Sequence, residues 1–284
     1  MRQTPLLGIL TDFGLSDGYV GVMKAVILSR APETPLVDIS HDIAPQDVEM
    51  GAWTLGAAWR YFPVGSVFLC VVDPGVGSAR RAVALAAHGR YFVGPDNGLF
   101  TYTLDERPGD DAPFRAVSLD NPAYHLSGAS ATFHGRDIFA PCAAALAAGT
   151  LLAELGAAVD PASLLRLPIA REAAREGDVI VGRVAHVDHY GNLITNIGPD
   201  LTLAALADPG AWVTVARRAV RARATHFAAG PAGEPFFLQD SSGALAVVVR
   251  DGSAAAALGA RRGDTVILHG MASVDRGHGH AGGK

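Results

Sequence analysis

The sequence predicts an α/β N-terminal domain with a mostly parallel central sheet, followed by a smaller all-β, barrel-like C-terminal domain. Three observations carry this prediction. Short apolar runs in the first half end on turn-forming acids, as the buried strands of a parallel sheet do: Leu7 to Leu10 before Thr11-Asp12, Leu36 to Ile39 before His41-Asp42, and Val67 to Val72 before Asp73. Between them lie stretches with apolar residues at helical spacing. In the second half the runs are separated by Gly, Asp and Pro turns, the pattern of a small barrel or sandwich.

Taken in order, the first strand leads into a helix over Tyr19 to Leu28, and the second into a helix over Asp47 to Tyr61. Pro45 precedes that second helix, and Gln46-Asp47 supplies negative charge at its start. After the third strand a helix is expected over Gly135 to Ala148, with an Ala-rich run to Ala158 continuing it after a break near Gly149. Alternating strand and helix places a site at the carboxyl ends of the strands. The first domain covers 1–165, and a Pro- and Arg/Glu-containing linker covers 166–178. The β domain covers 179–271, with strands read at Asp178 to His186, Ala211 to Ala216, Pro235 to Gln239, Ala244 to Val249 and Asp264 to His269. The Gly/His-rich tail, 272–284, is expected to be disordered.

Composition narrows the function classes. With 284 residues the chain can bury a core without staples. Cys70 and Cys142 lack CxxC spacing and sit in apolar runs, so they read as core residues and not as a disulfide framework or a thiolate metal site. A net charge of −5, with 23 scattered basic residues apart from Arg217 to Arg223, argues against a nucleic-acid partner. The N-terminus lacks a signal-peptide pattern and no run approaches about 18 apolar residues. A soluble, cytoplasmic protein with no membrane partner is expected.

Four polar clusters hold the candidate chemistry. Thr11-Asp12-Phe13-Gly14-Leu15-Ser16-Asp17-Gly18 sets two carboxylates on a Gly-containing loop before a helix. They can accept bonds from sugar hydroxyls or hold an ammonium group, and an Asp helix cap has the same pattern. Asp73-Pro74-Gly75-Val76-Gly77-Ser78-Ala79-Arg80-Arg81 follows a strand-end acid with a Gly-rich turn, either an anion-accepting nest or a structural turn. It is no dinucleotide fingerprint, because Arg80 occupies the third glycine's position. Thr132-Phe133-His134-Gly135-Arg136-Asp137 collects polar groups at a helix start, and His186 to Asn196 collects them on a turn. A structural His and an Asn/Gly-rich hairpin are the plain readings of these two.

The ordered set TDFGLSDGYVGVMK, DISHDIAPQDVEMGA, VVDPGVGSARR, FVGPDNGLF, ATFHGRDIFAP, VDHYGNLITNI and DSSGALAVVV resembles the S-adenosyl-L-methionine (SAM) hydroxide adenosyltransferase family, related to fluorinase and chlorinase. The likeness runs from Leu7 to Gly198 and, more weakly, over Gln239 to Ser253. It implies a homotrimer with SAM sites between neighbouring subunits. It also implies Asp73, Arg80 and His134 as the catalytic set, Asp12 for the ribose hydroxyls, Asp17 for the methionine ammonium and Asn97 as a lining residue. From the β domain, Asp188 and Ser241 would hold the amino-acid end and Asn192 the adenine edge. The halogenases carry Tyr where this chain has Asp73, and fluorinase carries Tyr where it has His134. Ser242 stands where fluorinase has an Arg, and Arg250-Asp251 departs from the usual Asn-Gly.

The implied reaction is hydrolysis of SAM to adenosine and L-methionine by water attack at C5′. A sulfonium leaves as a neutral thioether, so neither metal nor cofactor is expected and SAM is the substrate. Water, with a pKa of about 15.7, must be oriented and polarised. Ionised Asp73 would accept its hydrogen bond or proton, Arg80 would supply fixed positive charge, and His134 would orient the pair or relay the proton. Three rivals share parts of the sequence: a non-catalytic SAM or adenosine sensor, a chlorinase in which Asp73 would repel the halide, and a metal-dependent hydrolase built from Asp12, Asp42, Asp73 and His134.

Overall fold

The structure, a computed structural model, describes residues 5–106, 113–168 and 173–270. By its internal packing the chain divides into two units, one ending at Pro168 and the other starting at Ile169.

In the first unit β1 (Leu7–Thr11), α1 (Tyr19–Arg30), β2 (Leu36–Ser40), α2 (Val48–Ala58) and β3 (Val67–Val71) alternate as the sequence expects. β4 (Ala82–Ala87), β5 (Arg90–Pro95), α3 (Thr101–Asp105), β6 (Arg115–Ser118), α4 (Ala140–Ala147) and β7 (Ala158–Val159) follow. The seven strands form one sheet in the order β2-β1-β3-β5-β4-β6-β7. β2, β1, β3 and β5 are parallel, whereas β4, β6 and β7 join antiparallel. The mostly parallel expectation is thus corrected for half of the sheet. Ala82 to Pro95 folds as a tight hairpin, with His88 and Gly89 at φ 51° and 70° in its turn, so no crossover is made.

β1 and β3 are buried throughout, and their successive residues face opposite sides. Leu7, Ile9, Val67 and Leu69 pack with Met23 and Ile27 of α1 and Leu146 of α4. Leu10, Phe68 and Cys70 pack with Leu55 of α2 and Trp59. Asp47 caps α2, its Oδ1 accepting from Met50 N at 2.9 Å. The helix read over Gly135 to Ala148 is two pieces, a π-helical turn at Gly135–Phe139 and then α4. Pro141 has no N–H to donate to the Asp137 carbonyl four residues back, and Leu126 N donates to it instead at 2.9 Å. The Ala-rich run does not continue as a helix to Ala158: Gly149, at φ 98°, stops it, and the chain passes through a 3₁₀ turn at Leu152–Glu154 into β7.

The second unit contains β8 (Ala174–Glu176), β9 (Val179–Val187), β10 (Leu193–Thr195), α5 (Pro199–Ala207), β11 (Trp212–Val215), β12 (Arg218–Val220), β13 (Ala222–Arg223), β14 (Pro235–Gln239), β15 (Leu245–Val249), α6 (Ala254–Leu258) and β16 (Thr265–His269). Its strands form a sheet in the order β12-β11-β16-β9-β10-β15-β14-β13, with β8 on β9. The sheet curls until β12 packs against β14. The all-β expectation is corrected by two helices. α5 starts at Pro199 and is rich in Ala and Leu, while α6 is capped by Ser253 Oγ, which accepts from Ala256 N, and ends at left-handed Gly259. β8 falls inside the stretch read as a linker. The tail at 272–284 lies outside the described residues. Among the described residues no helix is long and apolar enough to cross a membrane.

Candidate active site

Because β1, β2 and β3 run parallel, the residues that follow them meet at one edge of the sheet. A cavity of about 640 Å³ opens there, walled by Asp12 after β1, Gln46 after β2, Asp73 and Pro74 after β3, and Ser130, Thr132, Phe133, His134 and Arg136. The antiparallel course of β4 matters here. β4 begins at the edge where β3 ends, so Arg80, seven residues after Asp73, remains beside it.

Arg80 Nε donates to Asp73 Oδ1 at 2.9 Å and to Oδ2 at 3.1 Å. Its Nη2 donates to Asp73 Oδ2 and also to His134 Nδ1, the latter at 2.8 Å. The Asp73 and Arg80 side chains are only 6% and 9% exposed. The guanidinium also lies over the Phe139 ring, 5.2 Å from its centroid. A guanidinium only donates, so His134 Nδ1 accepts and the ring carries its proton on Nε2. Burial first, and then the Arg80 charge, hold His134 below its ordinary pKa, against the opposing pull of Asp73. The ring is therefore a neutral Nε2–H donor at pH 7.

Local backbone builds this cluster. Ser78 Oγ donates to Gly75 O at 2.7 Å and accepts from Arg80 N at 3.2 Å, which closes the turn that carries Arg80. Gly77 sits at φ 76°, and a Cβ there would lie 2.5 Å from Ala131 O. Only glycine lets the 130–134 loop seat on the turn and bring His134 to Arg80. That loop is tied by Ser130 N, which donates to Asp137 Oδ2 at 2.8 Å, and Asp137 is in turn held by Arg136 Nε at 2.6 Å. Asp12 Oδ2 accepts from Gln46 N at 2.7 Å, with Gln46 itself at φ 66°. Phe13, Tyr19 and Phe133 pack edge to face on the same wall.

Of the residues read from sequence, Asp12, Asp73 and His134 line this cavity and Arg80 backs the last two. Asp17 is exposed and outside the cavity wall. Asn97 serves the scaffold here: Nδ2 donates to Val72 O at 2.8 Å and Oδ1 accepts from Leu99 N at 3.2 Å, bracing the strand end before Asp73. In the second unit Asp188, Asn192 and Ser241 line one cavity of about 500 Å³. Asp188 Oδ1 accepts from Tyr190 N and Asn192 N, and Oδ2 accepts from Asn192 Nδ2 at 2.8 Å. Asp240 Oδ1 accepts from Ser242 N and Ala244 N, the turn that presents Ser241.

Sequence reasoning missed Gln46, Phe133, Tyr190 and Phe227. The last two line the cavity with Asn192 although Tyr190 is 75% and Phe227 48% exposed. An aromatic set inside a polar turn, as in Asp188-His189-Tyr190-Gly191-Asn192, is the signal that could have found Tyr190. Among the described residues no three His, Cys, Asp or Glu side chains converge as metal ligands do, so Asp12, Asp42, Asp73 and His134 form no such group.

Fold and site together define a class of protein. Its α/β unit sets a carboxylate–guanidinium–imidazole cluster in a cavity at the carboxyl ends of parallel strands, and its β unit carries a largely apolar cavity with exposed aromatic rings and a few polar side chains, Asp188, Asn192 and Ser241 among them. A family profile described as the SAM hydroxide adenosyltransferase N-terminal domain matches residues 7–156, and one for the C-terminal domain of the same family matches 182–267. The chain belongs to the SAM hydroxide adenosyltransferase family. It is 44% identical to the (R)-S-adenosyl-L-methionine hydrolase of Thermus thermophilus, over 91% of this chain and 97% of that one. It is 41% identical to the protein of the same name from Salinispora tropica, over 93% and 97%. The crystal structure of an uncharacterized conserved protein from Thermotoga maritima superposes with a TM-score of 0.84 at 36% identity, covering 93% of this chain and all of that one.

Proposed function

We propose that this chain hydrolyses SAM to adenosine and L-methionine, with water attacking C5′ of the ribose as the sulfur departs. The observation that carries this reading is the Asp73–Arg80 pair bonded to a neutral His134 in the wall of the cavity that also holds Asp12. The names of the Thermus and Salinispora relatives support the substrate. The sulfonium already carries the positive charge that makes it leave, so the step asks the protein for nucleophile placement and not for an acid, a metal or a cofactor. Asp73 has lone pairs beyond those used by Arg80 and takes the proton that the attacking water releases as its oxygen bonds to C5′. Arg80 stabilises the developing hydroxide and, through Nδ1, fixes the imidazole so that Nε2–H is a donor toward the site. A chlorinase would have to seat a halide beside the Asp73 carboxylate, which repels it. The other Asp12 oxygen is assigned to the ribose hydroxyls and Asp17 to the methionine ammonium. Asp188 and Ser241 are assigned to the amino-acid end. Tyr190 and Phe227 offer ring faces to adenine while Asn192 meets its edge.

We assign a homotrimer with composite sites, each taking one subunit's α/β cavity and a neighbour's β cavity. The supporting observation is the outer face of α1, where Tyr19, Val22, Ala25 and Leu28 are exposed beside Gly18 and Gly21, and where Tyr19 belongs to the cavity wall. An exposed apolar stripe next to a site suits cover by another copy. Asp12→Ala and Asp188→Ala proteins, each inactive alone, are expected to regain activity when unfolded and refolded together. Mixed trimers without any activity would count against shared sites. Cys70 and Cys142 are buried free thiols, which fits the reducing cytoplasm as the compartment.

The reaction itself is tested in water enriched in heavy oxygen. One label is expected on the 5′-hydroxyl of adenosine and none in methionine, with no 5′-chloro-5′-deoxyadenosine at high chloride. Unlabelled adenosine, released adenine or chlorinated product would each refute the step, and binding without turnover would point to a sensor.

A further inference from the structure

Beneath the cavity a second polar chain runs from the surface to the Asp12 loop. Lys24 Nζ on α1 donates to Asp38 Oδ2 on β2 at 2.7 Å. Asp38 Oδ1 lies 3.1 Å from His41 Nε2, an ion-pair separation whose alignment falls short of a full hydrogen bond. His41 Nδ1 lies 2.8 Å from Thr11 Oγ1, and Thr11 Oγ1 accepts from Phe13 N at 3.3 Å. The His41 main chain also takes part, its carbonyl accepting from Gly14 N at 2.8 Å. One imidazole-bearing residue thus clamps the loop on both sides of Asp12, through Thr11 before it and Gly14 after it. Hydroxyl, imidazole and carboxylate follow one another as in a nucleophilic triad, but Thr11 is wholly buried, so no substrate reaches its oxygen. None of Lys24, Asp38 or His41 belongs to the cavity wall. Burial works to raise the Asp38 pKa, yet the hydrogen bond and charge of Lys24 together with the adjacent His41 imidazole outweigh it and hold the carboxyl below its ordinary value, so the chain carries charge at its outer end.

We infer that Lys24, Asp38 and His41 are positioning residues for Asp12, a relay that fixes the loop after β1 and thereby sets affinity for a ligand bearing a vicinal diol. The inference rests on the reading of Asp12 as the ribose-binding carboxylate. A carboxylate that must accept two adjacent hydroxyls needs a fixed plane. Gln46 N secures one of its oxygens and the relay secures the backbone that carries it.

Calorimetry on the full chain with adenosine and with 2′,3′-dideoxyadenosine tests it. His41→Asn is expected to weaken adenosine about tenfold, the size of one lost hydrogen bond to a charged group, and to leave the dideoxy compound unchanged. KM for SAM should rise in parallel while kcat stays within about threefold. Asp38→Asn and Lys24→Met, at the more exposed end of the chain where folding is least at risk, should show the same selective loss at smaller size. Equal losses for both nucleosides, or no loss in any variant, would overturn the relay. If the wild type does not distinguish the two nucleosides, the ribose reading of Asp12 fails by itself. Amide exchange at Phe13 and Gly14, expected to quicken in His41→Asn, still decides the relay in that case, and unchanged protection overturns it.

Discussion

Asp73→Asn is expected to lower SAM turnover about a thousandfold while affinity for SAM changes less than about tenfold. The substitution keeps size and shape but replaces one carboxylate oxygen by an amide NH₂. Asp73 Oδ1 and Oδ2 both accept from Arg80, so whichever way the amide turns, an N–H faces a guanidinium N–H. The cluster loses its negative charge and its grip on Arg80 together, and the water loses its acceptor. Arg80 then no longer has a reason to hold His134 through Nδ1. Single-turnover kinetics separate this from a binding defect. Normal chemistry with lost affinity would make Asp73 a ligand holder and remove the proposed water activation.

Gly77→Ala is expected to reduce kcat about a hundredfold, the cost of a catalytic group misplaced by roughly 1 Å. Two penalties combine in it. Left-handed backbone costs alanine about 1–2 kcal/mol. A Cβ only 2.5 Å from Ala131 O must also push the 130–134 loop off the turn. Gly65→Ala separates the two, because Gly65 has φ 89° with nothing within 4 Å of the added carbon. Both variants are expected to lower the melting temperature, Gly77→Ala by more because it adds the clash to the backbone cost, with loss of turnover confined to Gly77→Ala. If Gly77→Ala kept full turnover, the seating of His134 on this turn would not matter to catalysis.

Much of the α/β unit was legible because buried parallel strands write themselves as apolar runs ending on acids, and the acids after β1 and β3 do meet in one cavity. The hairpin of β4 and β5 was not legible, since Ala82 to Pro95 has the same apolar character as a parallel strand pair and only the positive φ of His88 and Gly89 decides the turn. The placement of Asn97 was equally hidden. Its partner, Val72 O, is 25 residues away, and an amide bracing a carbonyl looks in sequence like one facing a ligand. Asp17 stands in the same motif as Asp12, yet only Asp12 reaches the cavity wall of its unit, held there by Gln46 N. Spacing along a loop does not say which of two carboxylates turns inward. The helices α5 and α6 were legible in principle, since Pro199 and Ser253 are good helix-start residues, but strand turns rich in Gly and Asp on either side obscured them.

The antiparallel β4 also divides the cluster unequally along the chain. Asp73 and Arg80 close a loop of seven residues, whereas Arg80 and His134 are 54 apart. By loop-closure entropy the longer connection costs about 1.8 kcal/mol more in an unfolded chain. Carboxylate and guanidinium are therefore the partners the disordered chain can bring together at low entropic cost, and the imidazole completes the set only when the 130–134 loop docks on Gly77. A chain cleaved between Leu99 and Phe114 would keep the ion pair whole on one fragment and leave the imidazole on the other, so the two halves of this catalytic group are separable pieces of polypeptide.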